Sequence, residues 1–172
     1  THPLTESARA GIAAFDPLTD TPTRNECRQG IMPGIVLNPY PREFIDDGDM
    51  IRMRLELYDT VRNIYINPET APPETASPLG YSLGRWEGDT LVVTTTSVDS
   101  GQFAPLLSGP RGIMMGDGAE FLERFTASED GSHLDYTITV TDPTVFREPV
   151  EIENHWIYLP GATVPAYECF EK

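Results

Sequence analysis

Two charged residues stand on strand faces that are otherwise apolar, and they are the first candidates for chemistry. The dipeptide Asp130-Gly131 lies between two alternating segments, Ala119–Ala127 and His133–Thr141, and has the composition of a type I′ hairpin turn. Residues opposite each other in such a hairpin share a face. This pairs Phe125 with Tyr136, Glu123 with Ile138 and Phe121 with Val140, and leaves Glu123 as the lone charge on its face. The same construction across Asp59-Thr60 pairs Leu57 with Arg62 and Leu55 with Ile64. That face reads Ile51, Met53, Leu55, Leu57, Arg62, Ile64, Ile66, with Arg62 its lone charge. A buried charge without a partner is costly, so both residues are expected to be paired, hydrogen-bonded or turned toward a wet cavity.

Two readings follow. In the structural one, Arg62 and Glu123 form a buried salt bridge, or there are separate pairs involving Arg85 or Arg124. In the chemical one they form the polar end of a ligand cavity. Arg62 would then hold an anionic or carbonyl oxygen, Glu123 would serve as general acid or base, and the Tyr136 hydroxyl would partner Glu123 and help steady developing negative charge. A register slip of one residue would turn both charges outward.

Other side chains are candidates for contact with a ligand. Trp86 lies across from Leu91 and is expected in the core, with a stacking platform as the alternative. Tyr81 opens the same strand. Tyr65 falls on the polar face beside Arg54, at the surface or on a cavity rim. Met114 and Met115 sit in a glycine-flanked loop, where methionines pack into the fold or line a flexible lid. His2, His133 and His155 are scattered and suggest no ligand cluster; His133 adjoins a turn, and His155 alternates so as to face away from the core. Asp46, Asp47 and Asp49 around Gly48 resemble a calcium loop in composition, but lack its spacing and distal Glu. Gly80-Tyr81-Ser82-Leu83-Gly84 has the letters of a nucleophile elbow in a strand pattern with no helix after it. No cofactor and no metal is expected.

The elements that must position these residues are mainly strands. One helix is expected over 5–15, capped by Thr5, with Ala8, Ile12 and Phe15 on one face. Residues 16–42 read as an extended arm, with Pro39-Tyr40-Pro41 fixing part of it. Strands follow from residue 43: Ile51–Leu57, Val61–Ile66, Tyr81–Trp86, Thr90–Ser97 across a Glu87-Gly88-Asp89 turn, the two around Asp130-Gly131, and a last one near 151–158. Long loops cover 67–78 and 98–118. Seven or eight strands in sequential hairpins, without crossover helices, predict an all-β, antiparallel up-and-down meander closed as a lipocalin-like barrel, with a two-sheet sandwich as the alternative. The 172 residues form a single domain: helix and arm (1–42), barrel (43–158) and tail (159–172).

A net charge of −15 excludes a nucleic-acid partner, which needs a basic stripe, and docking on anionic lipid. No run approaches the ~20 apolar residues of a membrane span, so membrane insertion is not expected. The two cysteines, Cys27 and Cys169, lie near opposite ends outside any metal-binding spacing. They suit a disulfide, with free thiols as the alternative, and a disulfide implies a periplasmic or extracellular setting.

The run Gly80-Tyr81-Ser82-Leu83-Gly84-Arg85-Trp86-Glu87-Gly88-Asp89-Thr90-Leu91-Val92-Val93 resembles the central signature of a large family of exported bacterial proteins of unknown function. Pro39-Tyr40-Pro41 with Glu43-Phe44, Arg62-Asn63-Ile64-Tyr65, Glu123-Arg124-Phe125, Asp142-Pro143 and Tyr167-Glu168-Cys169 agree in order, so the resemblance spans roughly residues 25–170. It implies an exported β protein and no particular activity. The chain departs from the family at Asn67-Pro68-Glu69, where members often carry a Met-Asp-Gly-Arg-like turn, and at Met114-Met115, where many carry His-Ser.

Three functions are compatible with these features. The first is an exported barrel, monomeric or homodimeric, that binds a small, largely apolar molecule with a polar head, with loops 67–78 and 98–118 at its mouth. The second is a cofactor-free lyase, isomerase or cyclase using Glu123, Arg62 and Tyr136. The third is a structural or interaction protein with a filled core.

Overall fold

The computed structural model describes residues 2–16, 30–99 and 113–168. Helix α1 (Glu6–Ala14) and a one-turn helix α2 (Gly34–Leu37) precede eight strands: β1 (Arg42–Asp46), β2 (Met50–Leu55), β3 (Thr60–Tyr65), β4 (Tyr81–Glu87), β5 (Thr90–Thr96), β6 (Glu120–Ala127), β7 (His133–Thr141) and β8 (Val150–Ile157). They lie in sequential order in one mainly antiparallel sheet that curls into a half-barrel.

Local chemistry accounts for most boundaries. Thr5 caps α1 by accepting from the Ala8 N–H at 3.2 Å. The acidic turn between β1 and β2 is a strand turn, in which Asp46 accepts from the Gly48 N–H and Asp47 pairs with Arg52. Gly88, at φ +62°, serves the β4–β5 turn. Between β6 and β7 the pairs Phe125–Tyr136, Glu123–Ile138 and Phe121–Val140 form as the Asp130-Gly131 spacing requires.

Three features differ from the sequence expectation. Leu57–Asp59 form a short 3₁₀ turn with Tyr58 and Asp59 at positive φ, so the β2–β3 connection is longer than two residues. Met53 stands opposite Arg62, and Ile51 opposite Ile64. The shift in pairing is even, so every side chain keeps its face. β3 and β4 run parallel rather than antiparallel, because the proline-rich connection carries the chain back across the sheet before β4 begins. Residues 30–42 are not an arm laid over the surface: Met32, Ile35, Val36 and Leu37 are buried in the same core as the strands.

The sheet does not close by hydrogen bonds, since β1 and β8 are its two edges. Side chains close the seam instead. Phe44 of β1 meets Phe125 and Trp156 at 5.6 and 6.2 Å between ring centres. The Arg42 guanidinium sits 4.2 Å above the Trp156 ring and donates to the carbonyls of Val36, Asn38 and Tyr40. One arginine thus ties the α2 segment to the last strand. Burial pushes Arg42 down to about 10, with the nearby Tyr136 a smaller opposing influence, so it is charged at neutral pH.

Candidate functional site

The half-barrel brings Arg62 of β3, Glu123 of β6 and Tyr136 of β7 together in its interior. Their inward direction follows from strand alternation; their meeting follows from the curl of the sheet. Arg62 Nη1 donates to Glu123 Oε1 at 2.9 Å, and Nη2 donates to Oε2, a bidentate pair. The Tyr136 hydroxyl donates to Oε1 at 2.8 Å. Thr95 Oγ1 donates to Oε2 at 3.3 Å. Arg62 Nε and Nη2 reach Ser82 Oγ at 3.2 and 3.0 Å, and Nη2 reaches Thr95 Oγ1 at 2.7 Å. Four donors therefore meet the roughly four lone-pair sites of the carboxylate. Arg62 is 1% exposed and Glu123 0%.

The structure chooses the direct salt bridge over separate pairs, since Arg85 and Arg124 both bind Glu87 on the outer face. Ser82 and Thr95 are members that the charge argument missed. They face each other across β4 and β5, and two small hydroxyls opposite one another on an inward face were the available signal.

Burial by itself would lower the Arg62 pKa, but the adjoining Glu123 carboxylate outweighs it and holds the guanidinium above its ordinary value. Desolvation first, then the Glu123 charge, push the Tyr136 hydroxyl well above 10. The sign of the resulting pH dependence is fixed. Above pH ~10 an unfolded tyrosine loses its proton while Tyr136 in the fold keeps its own, so this residue erodes stability as pH rises. Tyr136→Phe is expected to flatten the alkaline loss of stability by up to ~1.4 kcal/mol per pH unit above pH ~10, measured as urea midpoints between pH 9 and 11.5. Parallel curves for both proteins would refute the assignment.

The other candidates do not join this cluster. Trp86 is 58% exposed although its partner Leu91 is buried, because β3 pairs with β4 only as far as Leu83 and leaves Trp86 without a neighbouring strand on that side; the expectation of core packing is overturned. Met114 and Met115 part company, at 58% and 2% exposed, so they do not form a lid together. Cys27 and Cys169 lie outside the described residues, as does most of the second long loop.

Tyr65 and Tyr81 meet elsewhere. β3 and β4 pair only through Ile64–Ser82 and Tyr65–Leu83. Just before β4, the Gly80 N–H closes a turn on the Ser77 carbonyl at 3.0 Å, and Ser77 bridges to Val98. The sheet forks there. A cleft of about 280 Å³ occupies the fork, bordered by Val61 and Asn63 of β3, Pro72 and Pro73 of the connection, and the two tyrosines, with Arg62 also on its wall. The tyrosine rings lie 5.6 Å apart at 30°, and the Tyr81 hydroxyl is fixed on the Pro72 carbonyl at 3.0 Å. Tyr65 stands opposite Met50 rather than beside Arg54, a consequence of the shifted β2–β3 pairing. Among the described residues no group of three His, Cys, Asp or Glu side chains converges to hold a metal ion.

No protein-family model, no curated protein and no solved structure matches this chain.

Proposed function

We propose that the protein is an exported binding module that takes a small, largely apolar molecule in the fork between β3 and β4. The observation that carries this reading is the cleft itself: two tyrosine rings and two prolines give it an apolar part, and Asn63, Thr75 and Ser77 also line it, so that the cleft is about as polar as it is apolar and can take a polar head. Its volume sits near the lower limit of small-molecule sites, which suits a ligand of one or two rings. The barrel interior is a poor alternative, because its polar centre is saturated by its own residues. That saturation also weakens an enzyme reading built on Glu123, which has neither exposed surface nor an unfilled acceptor site. A filled-core interaction protein is the second reading, supported by the same packed centre. Export rests on the resemblance and on the proposed pairing of Cys27 with Cys169, to which free thiols are the alternative.

Native mass spectrometry of protein purified from its own host tests this. The expected result is a retained small molecule that is absent from a Tyr65→Ser/Tyr81→Ser variant, on a chain two hydrogens lighter than the reduced formula. An adduct that survives the double substitution removes the cleft from consideration. A bare wild-type chain favours the filled-core reading.

A further inference from the structure

The pairing of β7 with β8 joins two histidines that are far apart in the sequence. On the outer face Asp135 stands opposite His155, and His133 stands opposite Ile157, so the two imidazoles are diagonal neighbours. Their ring centres are 6.1 Å apart, edge to face at 76°. Asp135 Oδ1 lies 3.5 Å from His133 Nε2, and Ser132 Oγ lies 3.0 Å from Nδ1 of the same ring. Glu153, opposite Thr137, is the next outward residue on β8. Ser132, His133, Asp135, His155 and Ile157 border one shallow surface pocket.

We propose that His133 and His155 form a binding site for a divalent first-row transition ion of the Zn²⁺ type. Imidazole is a good ligand for these ions. Zinc bonded to two imidazole nitrogens at ~2.0–2.1 Å holds the ring centres about 5 Å apart at tetrahedral angles. The rings stand slightly wider than this and close the gap by side-chain rotation, which the exposed outer face allows. The two strands fix the Cβ positions, so little backbone order has to be gained on binding. Among the described residues no third carboxylate or imidazole converges on the same point as the side chains stand; rotation of Asp135 or Glu153, or water, completes the coordination. The net charge of −15 adds a field that favours any cation.

The test is titration of the full chain with ZnCl₂ in a non-chelating buffer at pH 7.5, followed through the imidazole C–H signals by NMR, with MgCl₂ as control. The expected result is saturable movement of the His133 and His155 signals at one ion per chain, with His2 and the magnesium series unchanged. His133→Asn and His155→Asn, each with a wild-type amide spectrum, should weaken zinc at least about tenfold. Binding that survives either substitution, equal movement of His2, or no saturation below ~1 mM zinc overturns the proposal.

Discussion

Glu123→Gln is expected to lower the unfolding free energy by about 3–5 kcal/mol, the usual result of leaving one member of a buried ion pair without the other. Chains of this size have about 5–15 kcal/mol to lose, so the variant should unfold at a markedly lower urea concentration with an unchanged slope. The substitution keeps the shape of the side chain. It removes the negative charge beside a guanidinium that is 1% exposed, and it places an amide N–H₂ where Arg62, Thr95 or Tyr136 now donates. Donor then faces donor, and an unsatisfied buried group adds its own penalty. Replacing the whole unit is expected to be milder than breaking it. In Arg62→Met/Glu123→Leu/Tyr136→Phe no charge is stranded, and Ser82 and Thr95 still have each other at 3.0 Å. The triple variant should therefore be more stable than Glu123→Gln alone. If Glu123→Gln stays within ~1 kcal/mol of wild type, the network is not what holds the interior, and a proton-transfer role for Glu123 regains its standing.

This centre was legible in the sequence to an uneven degree, and the reasons are geometric. Glu123 and Tyr136 could be placed on one face because a single turn, Asp130-Gly131, sets their pairing. Arg62 was placed on the right face through a turn that does not form. The real β2–β3 connection includes Leu57–Asp59, and only the even shift in pairing preserved the parity. Tyr65 shows the limit of that good fortune, since its face survived while its neighbour changed from Arg54 to Met50. Contacts between distant strands were out of reach. Alternation says which way Arg62 points, but only the curl of the sheet puts it against Glu123. The parallel β3–β4 pair, the fork and its cleft depend on the path of one proline-rich connection, whose composition marks a loop without giving its course. The His133–His155 pair was within reach, because both residues lie on strands already assigned; the missing step was the β7–β8 register.

The fork itself rests on one glycine, and Gly80→Ala is expected to cost about 2–5 kcal/mol. Gly80 has φ +70°, where any residue with a Cβ is strained. A Cβ here would also lie 2.6 Å from the Thr96 carbonyl oxygen and from Val98 Cγ2, and 2.7 Å from Thr95 Cγ2. The first of these is backbone of β5 and cannot swing aside. The last belongs to Thr95, whose hydroxyl is shared by Arg62 and Glu123, so the clash reaches the buried network as well as the cleft. Gly88→Ala separates the two effects, because Gly88 has a similar φ of +62° and a methyl added there would meet nothing within 4 Å. It should lose only the conformational part, ~1–2 kcal/mol. Urea unfolding of both variants measures the difference. A clear excess for Gly80→Ala, with amide shifts at Tyr81 and Thr95, ties the cleft to the core through this turn. Equal losses would mean that β5 yields to the added methyl, and that the fork is not held open by close packing at Gly80.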